Sequence, residues 1–166
     1  VDNIARKDYL PDSKKFVIIY TLSGSKYIYS LAKKIATSLD AEVINIKSGF
    51  SRVKGDDGIT HITDAGPQEF ISLFDSAVYV ITDSFHGTAF SVNFNIPFTT
   101  LLNPVSNINS RVISILDMFD LKDRLIYDDG SNAYPTSLSI DFSKVNSLID
   151  IWRMKSIEFL VKQIAN

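Results

Sequence analysis

The chain has 166 residues, 45% of them hydrophobic and 22% charged, which predicts one soluble globular domain that is large enough to bury a core. A net charge of −2 at pH 7 with scattered basic residues argues against a nucleic-acid partner, and no apolar run approaches the roughly 20 residues of a membrane span. Because the chain has no cysteine and two histidines, we expect no disulfide, no metal site, no cofactor and a reducing, cytoplasmic compartment.

The amino-terminal segment differs in character from the rest of the chain. Residues 1–15 are polar and contain Pro11, which predicts a linker or interdomain connection ahead of a single domain spanning residues 16–166. The first residue is Val1, and no signal-peptide pattern follows it. We therefore expect a fragment of a longer protein, with an amino-terminal domain missing from this chain.

The first elements of the domain are predicted to form a βαβ unit. Phe16–Tyr20 is a continuous apolar run, typical of a strand buried on both faces, and it leads into a small polar loop that contains Ser23. Apolar residues at helical spacing then predict a helix that starts at Lys26, and Glu42–Ile46 is a second apolar strand. Strand, helix and strand within about 30 residues form a parallel crossover unit, which is right-handed in nearly all proteins.

The middle of the chain lacks a nucleotide-binding fingerprint. Residues 47–58 contain three glycines whose spacing does not fit G-x-G-x-x-G, so we expect a flexible surface loop there, followed by a short strand at Thr60–Ile62. Gly66 precedes a helix that starts at Pro67 and has Glu69 in its first turn. Glu69 has three open interpretations: a general base, an acceptor for sugar hydroxyls, or a charge that favours the positive end of the helix.

A buried strand followed at once by a helix is predicted around residue 83. Tyr79–Thr82 is an aromatic and β-branched run, and Asp83 and Ser84 are residue types that cap helices through a side-chain oxygen. The helix that follows is predicted to bury one face, formed by Phe85, Ala89 and Val92.

The first turn of this helix carries a candidate anion-binding site. Ser84, His86, Gly87 and Thr88 lie where a helix presents free N–H groups and the positive end of its dipole. Gly87 lacks a Cβ and would let a ligand approach the backbone, while His86 adds a donor whose charge can change near neutral pH. The alternative is structural, namely a partly buried histidine beside a glycine that makes a tight packing contact.

The second half of the chain continues the alternation of strands and helices. Residues 97–102 predict another strand, and Arg111 opens the helix after it. An arginine placed just beyond a strand can hold a carboxylate or phosphate through two hydrogen bonds, or it can simply be solvated. A long final helix is predicted to cover the edge of the domain with one inner face, formed by Val145, Leu148, Ile149, Trp152, Ser156, Phe159 and Leu160.

Together these elements predict an α/β fold, a Rossmann-like open parallel sheet with helices on both faces. Ligands of such sheets bind beyond the carboxyl ends of the strands. The loops that hold Ser23, Gly66, residues 84–87 and Arg111 all fall at or near that edge. We therefore expect one site, formed where these loops meet.

Four sequence blocks resemble the polysaccharide pyruvyl transferase family. They are GPQEF at residues 66–70, TDSFHGTAFS at residues 82–91, PF at residues 97–98 and NSR at residues 109–111. The closing segment is similar to the family's ending through Val145, Arg153, Ser156, Phe159 and Leu160. The resemblance implies the second, carboxyl-terminal domain of a GT-B-like two-domain enzyme, with the active site in the cleft between two Rossmann-like domains.

The resemblance also implies an activity. Family members move a pyruvyl group from phosphoenolpyruvate onto two sugar hydroxyls, forming a cyclic ketal and releasing phosphate, in cell-surface polysaccharide biosynthesis. His86 would then bind the donor and transfer protons. The other residues of the predicted donor site are Ser23, Gly66, Glu69, Ser84, Gly87, Thr88 and Arg111. The partners would be phosphoenolpyruvate, a sugar or oligosaccharide acceptor and the missing amino-terminal domain, which would read the acceptor, so we expect the fragment alone to be inactive.

Two other functions remain open from the sequence. A GT-B glycosyltransferase would use the same helix N-terminus for the diphosphate of a nucleotide-sugar, with Glu69 available for the ribose. A non-catalytic domain would use the cleft only to bind a ligand or to pair with another subunit. Binding of phosphoenolpyruvate against uridine diphosphate separates the first two functions, and failure of both ligands favours the third.

Overall fold

The computed structural model describes residues 15–47, 53–54, 58–105 and 110–164, with the backbone alone at 53–54. Its strands are β1 (Phe16–Tyr20), β2 (Glu42–Ile46), β3 (Val53–Lys54), β4 (Thr60–Ile62), β5 (Tyr79–Thr82), β6 (Phe98–Leu102) and β7 (Leu125–Tyr127). Its helices are α1 (Lys26–Leu39), α2 (Pro67–Ser76), α3 (Phe85–Asn93), α4 (Ser110–Met118) and α5 (Phe142–Ile164). The predicted linker lies outside these residues apart from Lys15.

The strands form a single sheet in the order β3-β4-β2-β1-β5-β6-β7. Every neighbouring pair is parallel except β3 and β4, which pair antiparallel at one edge. At the centre of the sheet, Ile18 of β1 lies opposite Ile44 of β2 and Val80 of β5. All three side chains are fully buried, which explains why these strands are continuous apolar runs in the sequence. The predicted parallel α/β sheet is confirmed. The prediction of a loop over residues 47–58 is wrong at Val53–Lys54, which form β3. Most of the other residues of this range lie outside the described ranges.

Helices cover both faces of the sheet. Helix α1 packs on one face through Ile28, Leu31 and Ile35, which are fully buried. Helices α2, α3 and α4 pack on the other face and contribute Leu73, Val92 and Val112 to a second core. The two cores share no residue because successive strand residues point to opposite faces.

The helices that follow the two neighbouring strands β1 and β5 pack on opposite faces of the sheet. Strand β1 leads into α1, and its neighbour β5 leads into α3 on the other side. The loops therefore diverge above the carboxyl ends of β1 and β5, which leaves a crevice there. Such a topological switch point is where open α/β sheets bind their ligands.

The buried face of α3 differs from the predicted one. Thr88 and Ser91 are fully buried, while Phe85 and Ala89 are only partly covered. The hydroxyl of Thr88 lies 3.1 Å from that of Thr100 on β6, so small polar side chains form the contact between helix and sheet. The prediction was wrong here because it took apolar residues alone as a guide to burial. Of the predicted face, Val92 is buried as expected.

Helix α5 packs on the domain only at its beginning. Val145 is buried and Ile149 is packed against the core, but every residue from 151 to 164 is exposed. Trp152 is 40% exposed and Phe159 is 63% exposed. The predicted inner face is therefore wrong beyond Ile149, because the helix continues past the core that it covers. Within the described part of the chain, no helix is long and apolar enough to cross a membrane.

Candidate active site

A cleft of about 350 Å³ lies at the switch point between β1 and β5. Its walls come from the loop after β1, the start of α3, the end of β6 and the start of α4. The residues that line it are Leu22, Ser23, Asp83, Ser84, Phe85, His86, Leu102, Asn103, Arg111 and Val112. The structure thus brings together four of the predicted site residues, namely Ser23, Ser84, His86 and Arg111.

Asp83 holds the loop after β1 in place. Its carboxylate accepts hydrogen bonds from the Thr21 hydroxyl at 2.7 Å and from the Leu22 N–H at 2.7 Å. It also accepts from the Ser23 N–H at 2.9 Å and from the Ser23 hydroxyl at 2.5 Å. The sequence predicts Asp83 as a helix cap, but Ser84 holds the N-cap position and the Asp83 oxygens accept from this loop. Four hydrogen-bond donors to one carboxylate therefore fix the wall of the cleft that the loop after β1 forms.

Ser84 occupies the N-cap position of α3 without capping the helix. Its side chain makes no capping hydrogen bond, and its Oγ atom has no partner among the described residues. Ser84 lines the cleft, although only 1% of its surface is exposed. Its own N–H is already used, because it donates to Thr82 Oγ1 at 3.0 Å. A buried hydroxyl without a partner is uncommon and calls for a ligand or a bound water.

His86 and Arg111 stand at the open side of the cleft. Both side chains are exposed, so solvent or a ligand can reach them. The guanidinium carbon of Arg111 lies 5.4 Å from the ring centroid of Phe85, within the range of a cation–π contact. The Phe85 and His86 rings are 5.7 Å apart in an edge-on arrangement. Phe85 therefore contacts both side chains and helps to orient them.

Gly87 and Thr88 face the protein interior and not the cleft. A Cβ on Gly87 would lie 2.3 Å from Thr82 Oγ1, so the missing side chain lets α3 approach the end of β5. The hydroxyl of Thr88 donates to the Ser84 carbonyl at 3.1 Å. We predicted that Gly87 leaves room for a ligand, whereas the room is taken by Thr82. The prediction that Gly87 binds the donor now concerns its backbone N–H alone. That N–H lies in the first turn of α3, where N–H groups lack intrahelical acceptors.

Gly66 and Glu69 lie at a different place along the sheet edge. Gly66 is the N-cap residue of α2, and a Cβ there would lie 2.8 Å from Glu69 Oε2. Helix α2 follows β4, which is separated from β5 by β2 and β1. Neither residue lines the cleft. Their predicted roles in donor binding remain predictions.

Two polar residues of the cleft were not among the predicted site residues. Asp83 was interpreted as a cap, and its four donors come from a loop about 60 residues earlier in the chain. Asn103 follows β6 directly and lines the cleft. A polar residue immediately after a buried strand is the signal that could have found Asn103. Within the described ranges, no group of three or more acidic or histidine side chains could hold a metal ion.

The sheet and its helices form a Rossmann-like α/β domain with a GT-B-like fold, and the cleft lies at its switch point. The glycotransferase of kitacinnamycin matches 93% of this chain with a TM-score of 0.55 and 13% identity, over 44% of its own length. The UDP-GlcNAc 2-epimerase from Methanocaldococcus jannaschii matches 86% of this chain with a TM-score of 0.49 and 15% identity, over 40% of its length. The chain thus spans less than half of either protein. A comparison with curated proteins finds no match.

The family follows from the sequence match. The model of the polysaccharide pyruvyl transferase family matches residues 2–104, which is more than half of the chain. The chain belongs to the polysaccharide pyruvyl transferase family, as its sequence blocks at residues 66–70, 82–91 and 97–98 predict. The block at residues 109–111 and the closing segment lie beyond the matched range, so their resemblance stays a prediction. The matched range includes Ser84 and His86, while Arg111 lies beyond it.

Proposed function

We propose that this chain is the donor-binding domain of a polysaccharide pyruvyl transferase and that its cleft takes phosphoenolpyruvate. The observation that carries the proposal is the Ser84 hydroxyl, which is buried at the start of α3, lines the cleft and has no partner within the described residues. Leaving a buried hydroxyl unpaired costs about 1–3 kcal/mol, so a ligand that accepts or donates a hydrogen bond there is favoured. Membership of the family supports a pyruvyl donor.

The charges around the cleft suit an anion with two acidic groups. Phosphoenolpyruvate carries a phosphate and a carboxylate, so its site needs several N–H or O–H donors and at least one fixed cation. The first turn of α3 supplies N–H groups, and Arg111 supplies a guanidinium that can bind an oxyanion bidentately. Asp83 also lines the cleft, but its oxygens already accept four hydrogen bonds from the loop after β1.

His86 is the residue we assign to proton transfer. One sugar hydroxyl adds to the central carbon of phosphoenolpyruvate while the methylene carbon gains a proton, and the second hydroxyl then displaces phosphate from the same carbon. The two sugar hydroxyls lose two protons in all. One balances the proton that turns the methylene group into a methyl group, and the other leaves with phosphate. A solvent-exposed imidazole at the open side of the cleft can carry such protons near neutral pH. The chain spans 44% of the glycotransferase that it resembles in fold, and we propose that turnover needs a second domain as well.

Calorimetric titration with phosphoenolpyruvate, uridine diphosphate and inorganic phosphate tests the proposal. We expect saturable binding of phosphoenolpyruvate that weakens in Ser84→Ala, His86→Gln and Arg111→Gln. Arg153→Gln is the matched control for the loss of one positive charge, since Arg153 is exposed on α5 and lies outside the cleft. In the full-length protein, His86→Gln should abolish transfer, and retained turnover would remove its catalytic role.

The other two ligands decide between the remaining functions. Tighter binding of uridine diphosphate than of phosphoenolpyruvate would assign the cleft to a nucleotide-sugar. If none of the three ligands binds, either to this chain or to the full-length protein, a non-catalytic domain is favoured, one that binds another ligand or pairs with another subunit. We also propose that the reaction takes place in the cytoplasm.

A further inference from the structure

A second pocket of about 340 Å³ adjoins the cleft. Its lining residues are Ser23, Ser25, Lys26, Leu101, Asn103 and Asp128. Two of them, Ser23 and Asn103, also line the cleft, so the two spaces meet at these side chains. Leu101 belongs to the core under α1, whereas Leu102, which lines the cleft, belongs to the core under α3 and α4. The pocket and the cleft therefore open on opposite faces of the same sheet edge.

The second pocket carries charges of both signs. Lys26 contributes one ammonium group and Asp128 one carboxylate, while Ser23, Ser25 and Asn103 are neutral hydrogen-bonding side chains. The cleft, by contrast, contains a guanidinium and a carboxylate that is already occupied by the loop after β1. A pocket that presents an ammonium group and a carboxylate together disfavours both a simple anion, which would meet Asp128, and a simple cation, which would meet Lys26.

Asp128 is held in position but retains hydrogen-bonding capacity. Its Oδ2 atom accepts from the Ser25 hydroxyl at 2.5 Å, and Ser25 in turn caps α1 by accepting from the Tyr27 N–H at 3.1 Å. Its backbone N–H donates to the Leu102 carbonyl at 2.9 Å, which anchors the residue to β6. A carboxylate accepts about four hydrogen bonds, so Asp128 can still accept from a ligand. Lys26 is a donor only, with three N–H bonds.

We propose that the second pocket binds the hydroxyl groups of a neutral sugar, the acceptor of the transfer. Each sugar hydroxyl can donate to Asp128 and accept from Lys26, which matches the mixed lining of the pocket. The inference rests on the proposed function, in which the cleft holds the anionic donor. Donor and acceptor then meet at Ser23 and Asn103, the residues common to both spaces. Part of the acceptor is thus read by this domain, in addition to any domain outside this chain.

The test is site-resolved NMR on the ¹⁵N-labelled chain with the methyl glycosides of glucose, galactose and mannose as probes. We expect at least one glycoside to shift the amides of Ser25, Lys26 and Asp128 in a saturable way. Asp128→Ala and Lys26→Met should each weaken that binding by about tenfold. Asp129→Ala is the matched control, because it removes a neighbouring carboxylate that does not line the pocket, and it should leave the affinity unchanged.

Three results would overturn the inference: no saturable shift with any glycoside, shifts confined to Phe85 and His86 in the cleft, or unchanged affinity in both pocket variants. Phosphoenolpyruvate is titrated into the same sample to separate this inference from the proposed function. If phosphoenolpyruvate shifts the cleft amides and no glycoside shifts the pocket, the inference fails alone. If a glycoside binds the pocket and phosphoenolpyruvate binds nowhere, the proposed donor fails and the sugar pocket stands. If phosphoenolpyruvate shifts the pocket amides, Lys26 is an anion contact and the sugar assignment is wrong.

Discussion

The carboxylate of Asp83 accepts both the backbone N–H and the hydroxyl of Ser23, at 2.9 and 2.5 Å. These two residues follow the neighbouring strands β5 and β1, so one side chain joins the two loops at the switch point. Hydrogen bonds to a charged acceptor are stronger than neutral ones, which makes this contact a main determinant of the shape of the cleft.

Replacing Asp83 by Asn should lower the free energy of unfolding by about 2 kcal/mol. Asparagine keeps one acceptor oxygen but places an NH₂ group where the wild-type carboxylate accepts a second set of donors. Urea denaturation followed by circular dichroism measures the change. Asp75→Asn, an exposed change on α2, is the control and should have little effect. Equal stability of the two variants would mean that the loop after β1 is held by other contacts.

Gly87→Ala should destabilise the domain by about 1–3 kcal/mol, the usual cost of overpacking a core. The new Cβ would lie 2.3 Å from Thr82 Oγ1 and 2.9 Å from Thr82 Cβ, so α3 must move away from β5. Gly66→Ala is the matched control, because its new Cβ meets only the end of the flexible Glu69 side chain. Thermal unfolding of the two variants gives the comparison. A Gly87→Ala variant as stable as Gly66→Ala would contradict the tight packing of α3.

Ser84→Ala should leave the stability unchanged or raise it by up to about 1 kcal/mol. The hydroxyl that it removes is buried and has no partner among the described residues, so no hydrogen bond is lost. Thr88→Val is the control on the same helix, since it loses the contacts with the Ser84 carbonyl and Thr100. That variant should lose about 1–2 kcal/mol. A similar loss in Ser84→Ala would show that its hydroxyl is paired in the folded protein.

Truncating the chain after Asp150 should change the free energy of unfolding by less than about 0.5 kcal/mol. All described residues beyond Asp150 are exposed, and the contacts of α5 with the core come from Phe142, Val145 and Ile149. Val145→Ala is the reference, with an expected loss of about 2 kcal/mol because its side chain is buried. A truncated chain that unfolds more easily than Val145→Ala would contradict this account.

Stability should fall at alkaline pH because of Tyr79. Burial, which outweighs the hydrogen bond with Thr99, raises the pKa of the Tyr79 hydroxyl above its usual value of 10.0. The folded state therefore keeps this proton at pH values where the unfolded state loses it. The resulting stability is fully present below pH 10 and is lost as the pH rises through the folded pKa. We expect the free energy of unfolding of Tyr79→Phe to fall less across this pH range than that of the wild type. Tyr127→Phe changes an exposed tyrosine, so its free energy of unfolding should fall as much as that of the wild type.

The alternation of elements could be predicted because each strand and helix is encoded locally. Tyr79–Thr82 and Thr60–Ile62 are found where their β-branched and aromatic residues place them, and α2 begins at Pro67 as its proline indicates. Four cleft residues could likewise be placed, because the carboxyl ends of parallel strands gather at one edge.

The remaining features depend on contacts that no local pattern records. Asp83 has the residue type of a helix cap, and only the three-dimensional fold brings the loop after β1 to its carboxylate. Gly87 suits both a ligand and a neighbouring side chain, and the approach of Thr82 decides between them. The apolar spacing of α5 continues past Ile149, but periodicity does not tell whether anything lies against that face.

The four hydrogen bonds between Asp83 and the loop after β1 make one side of the cleft more rigid than the side that holds Arg111. Because one carboxylate ties the end of β1 to the start of α3, any displacement of one wall carries the other with it. On the other side of the cleft, the long, exposed side chain of Arg111 can reorient without breaking those four bonds. For the donor that we propose, substitutions of Arg111 should therefore change the dissociation rate more than the shape of the cleft.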